Sequence, residues 1–235
     1  MRKTSFISVI AVFASLTVVL DAIIIPELSS GVWFGLVFLI APITGIVLGP
    51  AAGFLSTFIG VMIGHLLIPR GIEEFLFTIG APIGAAIVGL LFQHRWKTVF
   101  FYYTFLLASY FLTPVAWQLP VWGMWDVYCA YFVLIASLVL KYKMKVQLSK
   151  SREVWLNLAL SAFVGLEADV LFRIFILIPG GTYHSIYGLP IEMLQIVWVA
   201  GAFYTPIKVA ISILLTTSLG PRLLAIRSVN EQIRL

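Results

Sequence analysis

Gly45-Ile-Val-Leu-Gly-Pro-Ala-Ala-Gly-Phe-Leu-Ser-Thr-Phe-Ile-Gly-Val-Met-Ile-Gly-His65 is the stretch that decides the fold class of this chain. A Gly-Pro break at Gly49 and Pro50 opens an apolar helix whose small residues recur at four-residue steps. One ladder runs Gly49, Gly53, Thr57, and a second runs Ser56, Gly60, Gly64. A bilayer offers no hydrophobic drive between helices, so close approach over small residues becomes a main source of packing there. The segment reads as a membrane helix made to be approached closely, by neighbours in the same chain or by a partner.

The flanking sequence agrees. Of the 235 residues, 61% are hydrophobic and 11% charged, with a mean hydropathy of +1.06; a soluble domain carries about 25% charge. At roughly 20 apolar residues per crossing, eight spans are expected, at 5–25, 32–48, 50–68, 73–92, 98–116, 121–140, 154–178 and 191–219. This predicts an all-α polytopic membrane protein, a bundle of about eight helices (six core plus two) forming one transmembrane domain over 1–235. Within it, 1–97 holds the first four spans, 98–150 an extra hairpin with a basic inner loop, and 151–235 the last two spans.

Charge placement orients the bundle. With the N-terminus inside, Arg2, Lys3, Arg95, Lys97, Lys141, Lys143, Lys145, Lys150, Arg152, Arg222, Arg227 and Arg234 fall on the cytoplasmic side. Arg70 falls in an outer loop, and Arg173 and Lys208 lie within spans. This positive-inside bias predicts an even number of spans and two cytoplasmic termini. The basic residues sit at span ends, so the net charge of +5 is no nucleic-acid signal. The single cysteine, Cys129, leaves no internal disulfide and no cysteine-based metal site. Met-Arg-Lys before an apolar run mimics a signal peptide, but no Ala-x-Ala site follows, so a retained first helix is expected.

Span 7 holds the costly residues Glu167, Asp169 and Arg173. Each charge near the bilayer centre costs about 2.5–3.5 kcal/mol on insertion scales, so they must pair, neutralise or face a wet cavity. Asp169 and Arg173 are four apart and share a face. Glu167 points elsewhere, and its depth matches that of Lys208 in span 8, which suggests a Glu167–Lys208 pair acting as a structural lock or a relay. The histidines are scattered, and no His-Glu-x-x-His occurs, so a metal hydrolase has no support. His184, between Tyr183 and Tyr187 in the loop 179–190, is a binding candidate; His65 reads as a span-end residue and His94 as surface. Glu73-Glu74 is similar to the paired glutamates of intramembrane CAAX-type proteases, but Thr78 stands where those have arginine. The pair reads as a helix cap. No enzyme, cofactor or metal site is expected. No Gly-x-x-x-x-Gly-Lys-Ser/Thr loop occurs, so any ATP use belongs to a partner.

Three stretches carry a resemblance: Ala11-Val-Phe-Ala-Ser-Leu-Thr-Val-Val-Leu20 ending in Ile-Ile-Pro26, Gly45-Ile-Val-Leu-Gly-Pro-Ala-Ala-Gly53, and Gly80-Ala-Pro-Ile-Gly-Ala-Ala-Ile-Val-Gly89. They resemble the S components, the substrate-binding membrane subunits of energy-coupling factor (ECF) vitamin transporters. The stretch Pro206-Ile-Lys-Val-Ala-Ile-Ser-Ile-Leu-Leu-Thr216 is similar to that family's last helix, where a Pro-Asn-x-x-Lys-like pattern is frequent; here the Asn is absent. The family has six helices, so the hairpin would be an addition.

The resemblance implies a receptor in the cytoplasmic (inner) membrane of a prokaryote that binds a vitamin or similar micronutrient. It would work with a transmembrane coupling protein and ATPase subunits. Small residues of the first helix contact the coupling protein in that family, which points to Ala11 and Ser15, while Gly53 and Gly60 are further candidates for partner-helix contact. The ligand would lie under the first outer loop and among the last helices, near Glu27, Trp33, His184, Tyr187, Glu192 and Trp198, with Glu167, Asp169 and Arg173 deeper. Two alternatives stand beside this. One is a stand-alone secondary transporter using Glu167, Asp169, Arg173 and Lys208; the other is a non-transporting scaffold subunit.

Overall fold

A computed structural model describes residues 3–26, 33–70, 74–143 and 150–232. Helix α1 (Lys3–Ala22) leads into a small antiparallel hairpin of β1 (Ile24–Pro26) and β2 (Trp33–Gly35), in which Ile24 faces Gly35 and Ile25 faces Phe34. A 3-10 turn (Leu36–Leu39) precedes α2 (Ala41–Leu48), and α3 (Pro50–Leu67), α4 (Glu74–Thr78) and α5 (Gly80–Phe92) follow. Next come α6 (Trp96–Phe111), two 3-10 turns (Pro114–Gln118 and Val121–Met124), α7 (Trp125–Lys143), α8 (Lys150–Leu177), α9 (Thr182–Ser185) and α10 (Ile191–Gln232).

The chain is an all-α, multi-pass membrane protein apart from these two three-residue strands. Among the described residues four segments are long and apolar enough to cross a membrane: Pro50–Leu67, Glu74–Phe92, Val121–Leu140 and Ile191–Ala225. Four of the eight expected spans, 50–68, 73–92, 121–140 and 191–219, coincide with these segments, and three of the others differ from a single long apolar helix. The segment expected to span at 32–48 breaks at Ile40, and α2 has 8 residues, about 12 Å of helix against the roughly 30 Å hydrocarbon core. Helix α6 stops at 16 residues, where Thr113 and Pro114 turn the chain. Helix α8 is long enough at 28 residues, but its charges dilute its apolar character.

Gly49 ends α2 at φ 81°, a conformation that suits glycine, and Pro50 starts α3 at its first position, where a missing N–H costs nothing. The small-residue ladder then packs inward. Ser56 donates to the Ile10 carbonyl at 3.0 Å, Gly60 lies against Ala14 and Thr17, and Gly64 lies against Asp21. Both indices rise together, so α1 and α3 run parallel, in contact over about three turns. Gly53 meets Gly45 of α2, and Gly45 and Gly89 bring α2 and α5 together. Gly53 and Gly60 therefore face this chain's own helices. Both are buried against these neighbours, whereas Ala11 and Ser15 lie on an exposed strip of α1.

Helix α5 runs antiparallel to α8, with Gly84 against Gly165 and Gly80 against Asp169. The hairpin 96–143 packs on α8 through a largely aliphatic and aromatic cluster, in which Tyr103 donates to the Val164 carbonyl at 2.6 Å. Helix α10 closes the bundle, with Gly220 against Leu158 and Ser212 bonded to the Phe38 carbonyl at 2.5 Å. The loops after α1, α3, α6 and α8 gather at one end, called here the hairpin end: Asp21 meets Arg70, Trp198 meets Pro120, and Phe77 meets Tyr187.

Candidate functional site

Polar side chains collect at the hairpin end because the glycine ladder lets two helix ends converge there. Gly64 has no Cβ, and a Cβ there would strike the Asp21 carboxylate. Asp21 therefore sits beside His65, whose Nδ1 lies 3.2 Å from Asp21 Oδ2. Arg70, just past α3, donates from Nη2 to the same oxygen at 2.6 Å and to the Asp21 carbonyl at 2.5 Å. On the other side of the ring, His65 Nε2 lies 2.7 Å from Thr78 Oγ1, and Thr78 also bonds the Glu74 carbonyl at 2.8 Å. Asp21 from the end of α1 is thus tied into one line with three residues more than 40 positions later, Arg70–Asp21–His65–Thr78. The Arg70 and Asp21 side chains are 4% and 5% exposed. In a medium that shields charge poorly, such a pair holds together because each charge would be costly alone.

The facing wall comes from α8. Arg173 donates from Nε to Asp169 Oδ1 at 2.6 Å and from Nη2 to Oδ2 at 3.2 Å, the two-pronged geometry that suits a guanidinium and a carboxylate. This is the pair expected from the four-residue spacing. Gly80 of α5 makes room for it, since a Cβ there would collide with Asp169 Oδ1. Between the two walls lies a cavity of about 170 Å³, which Glu74, Thr205 and Lys208 also line. Arg173 is deep inside the bundle, yet 37% of its side chain is accessible because it borders open space.

A second cavity of about 120 Å³ adjoins the first, and Val170, Arg173 and Thr205 line both. Its wall is mostly apolar, from Phe77 of α4, Ile174 and Leu177 of α8, and Val197, Trp198 and Gly201 of α10. Trp198 is fixed by a bond from Nε1 to the Pro120 carbonyl at 3.1 Å and by parallel stacking on Tyr110 at 5.6 Å.

Of the residues expected from sequence, Asp169, Arg173 and Lys208 border the polar cavity and Trp198 the apolar one. Glu167 and Lys208 do not pair. Glu167 is fully buried and neither carboxylate oxygen has a hydrogen-bond partner. Its electrostatic neighbours include Asp126 and Tyr103, from α7 and α6, while Lys208 borders the cavity beside Asp169. Helix rise speaks only to depth; the two side chains face different neighbours, Glu167 toward α6 and α7 and Lys208 toward the cavity.

His184 and Glu192 are exposed and border neither cavity. Tyr187 packs edge-on against Phe77, behind the apolar wall, at 5.7 Å. Glu27 and residues 144–149 of the basic loop lie outside the described residues, and Trp33 is described by its place in β2. Sequence reasoning missed Asp21, His65, Arg70, Glu74 and Thr78 as a group. The available signal was Gly64 beside His65, one ladder step from contact with a helix ending in an acid. Among the described residues no group of three His, Cys, Asp or Glu side chains is placed to hold a metal ion.

Compared with models of known protein families, with curated proteins and with solved structures, the chain matches none of them.

Proposed function

We propose that this chain is a membrane-embedded receptor for a small polar solute, which binds in the cavity between the α1–α3 and α8–α10 walls. One observation carries the reading: two ion-paired clusters, Asp21–His65–Arg70 and Asp169–Arg173, converge on the same partly open cavity. Ion pairs that merely lock helices would close on each other. These enclose a volume similar to the roughly 150 Å³ of an engineered cavity that takes up benzene. The cavity also lies beside the β1–β2 hairpin and between the last two long helices, a position that supports the likeness to ECF S components.

On this reading the solute is a vitamin or similar micronutrient, delivered by a partner complex of coupling protein and ATPases. The exposed strip of α1 around Ala11 and Ser15 supports a docking role for that helix. The orientation that fits is the one with both termini in the cytoplasm and the hairpin end outside, in the inner membrane of a prokaryote. Native mass spectrometry of protein purified in mild detergent tests the reading. A small-molecule adduct is expected on the wild type and lost in Asp169→Asn combined with Arg173→Met. An adduct retained undiminished in that variant refutes it.

A second reading, a stand-alone secondary transporter, draws on Glu167, whose buried and unpartnered carboxyl is the kind of group that carries a proton across a membrane. Uptake abolished by a protonophore and by Glu167→Gln, yet indifferent to loss of any ATPase, would favour it.

A further inference from the structure

The two cavities share a wall, and the group in that wall is a guanidinium. Arg173 lines both, along with Val170 and Thr205. On one side of it lie three carboxylates, a histidine, a lysine and the Arg70 guanidinium; on the other lie Phe77, Ile174, Leu177 and Trp198. A guanidinium carries five N–H donors, and Asp169 engages two of them. The rest of the fork is available to an acceptor in either chamber.

The geometry points to a single two-chamber site for a small amphiphile with an anionic head and an apolar ring or short chain. The inference rests on the receptor reading above and names its ligand class. The head meets Arg173 from the polar chamber, where planar two-point recognition favours a carboxylate or a similar anion. The apolar part occupies the second chamber against Trp198 and Ile174. Asp126 also lines that chamber, with Arg173 as its cation, whereas the polar chamber sets Arg70 and Lys208 as well as Arg173 against its carboxylates, and this fixes the ligand's orientation. Taken together, the two volumes approach the lower end of the usual range for ligand sites, roughly 300 Å³.

Gly201 gives the test. It lines the apolar chamber, and a Cβ built there meets nothing within 4 Å. A side chain at 201 therefore starts from open space at the chamber's wall, and Gly201→Leu takes up more of that space than Gly201→Val. The probes are phenylacetate, acetate, benzylamine and toluene, read by the shift of the thermal unfolding midpoint in detergent. Phenylacetate is expected to bind at least tenfold more tightly than each of the other three. Gly201→Leu is expected to weaken phenylacetate at least tenfold, Gly201→Val less, with unliganded midpoints no lower than wild type.

Acetate equal to phenylacetate, benzylamine tighter than phenylacetate, no binding of any probe, or indifference to both Gly201 variants would each overturn the inference. The co-purified adduct separates its failure from that of the receptor reading. An adduct lost with Asp169→Asn and Arg173→Met but kept in Gly201→Leu leaves the receptor standing and removes the second chamber. An adduct indifferent to all of them removes both.

Discussion

The same substitution at two glycines should have opposite consequences, and the contrast isolates the energy of the α1–α3 contact. In a helix interior, alanine is favoured over glycine by roughly 0.5–1 kcal/mol because the unfolded chain loses less freedom. At Gly201 a Cβ meets nothing within 4 Å, so Gly201→Ala should show that gain alone. At Gly60 the new Cβ would overlap Thr17 Cβ and come within 2.7 Å of Thr17 Cγ2 and 2.8 Å of the Ala14 carbonyl oxygen. None of these atoms is the far end of a flexible side chain, so the helices themselves must part. Overpacking of this kind costs about 1–3 kcal/mol. The propensity gain is common to both variants and cancels in the comparison. A stability gap of about 1–3 kcal/mol remains. At about 2–4 °C per kcal/mol for a chain of this size, Gly60→Ala should melt roughly 2–12 °C below Gly201→Ala in the same detergent. Differential scanning fluorimetry on the two purified proteins measures it. Equal midpoints would mean that the ladder does not hold α1 against α3 as described.

Other consequences are equally direct. Asp21→Asn removes the charge facing buried Arg70 and should cost about 3–5 kcal/mol; adding Arg70→Met should recover most of that in a double-mutant cycle of midpoints. Thr78→Val leaves His65 Nε2 without its hydroxyl partner and should lower stability by about 1–3 kcal/mol, read as a denaturation midpoint. Glu167→Met replaces a fully buried side chain with unpartnered oxygens, so unfolding should show equal or higher stability; a marked loss would reveal a partner for that carboxyl. Ala11→Trp with Ser15→Trp alters exposed positions and should leave the midpoint unchanged; on the receptor reading proposed above, it should also abolish co-purification of a coupling subunit from the native membrane.

The legible parts of the molecule were those governed by local spacing. The four-residue ladder from Ser56 to Gly64 identified a tightly approached face, and the four-residue step from Asp169 to Arg173 identified a pair, because helical periodicity acts within one segment. Contacts between segments were not legible in the same way. Asp21 finds His65 44 residues on and Arg70 49 residues on, and recognising that requires knowing that α1 and α3 run parallel. The run 32–48 looked like a span because hydropathy counts apolar residues and takes no account of where the helix breaks. Most of α2, including Ala41, Ile43 and Ile46, is buried among other helices, so its apolar character serves protein packing. Glu167 and Lys208 failed as a pair for a related reason: distance along a helix sets depth, and the rotation set by Gly80 and Gly84 against α8 decides which side chain meets which neighbour.

The two ion pairs also differ in when they can form. Asp169 and Arg173 belong to one helix turn and close as soon as that turn winds. Asp21 must wait for a residue 49 positions later in the chain. At synthesis rates of about 5–20 residues per second, that wait lasts roughly 2–10 s. During it, α1 carries an acid whose counter-charge has not yet been made. Asp21 lies in the last turn of the helix, where the waiting carboxylate can remain at the water boundary. Its partners come only with α3, which brings His65 and then Arg70.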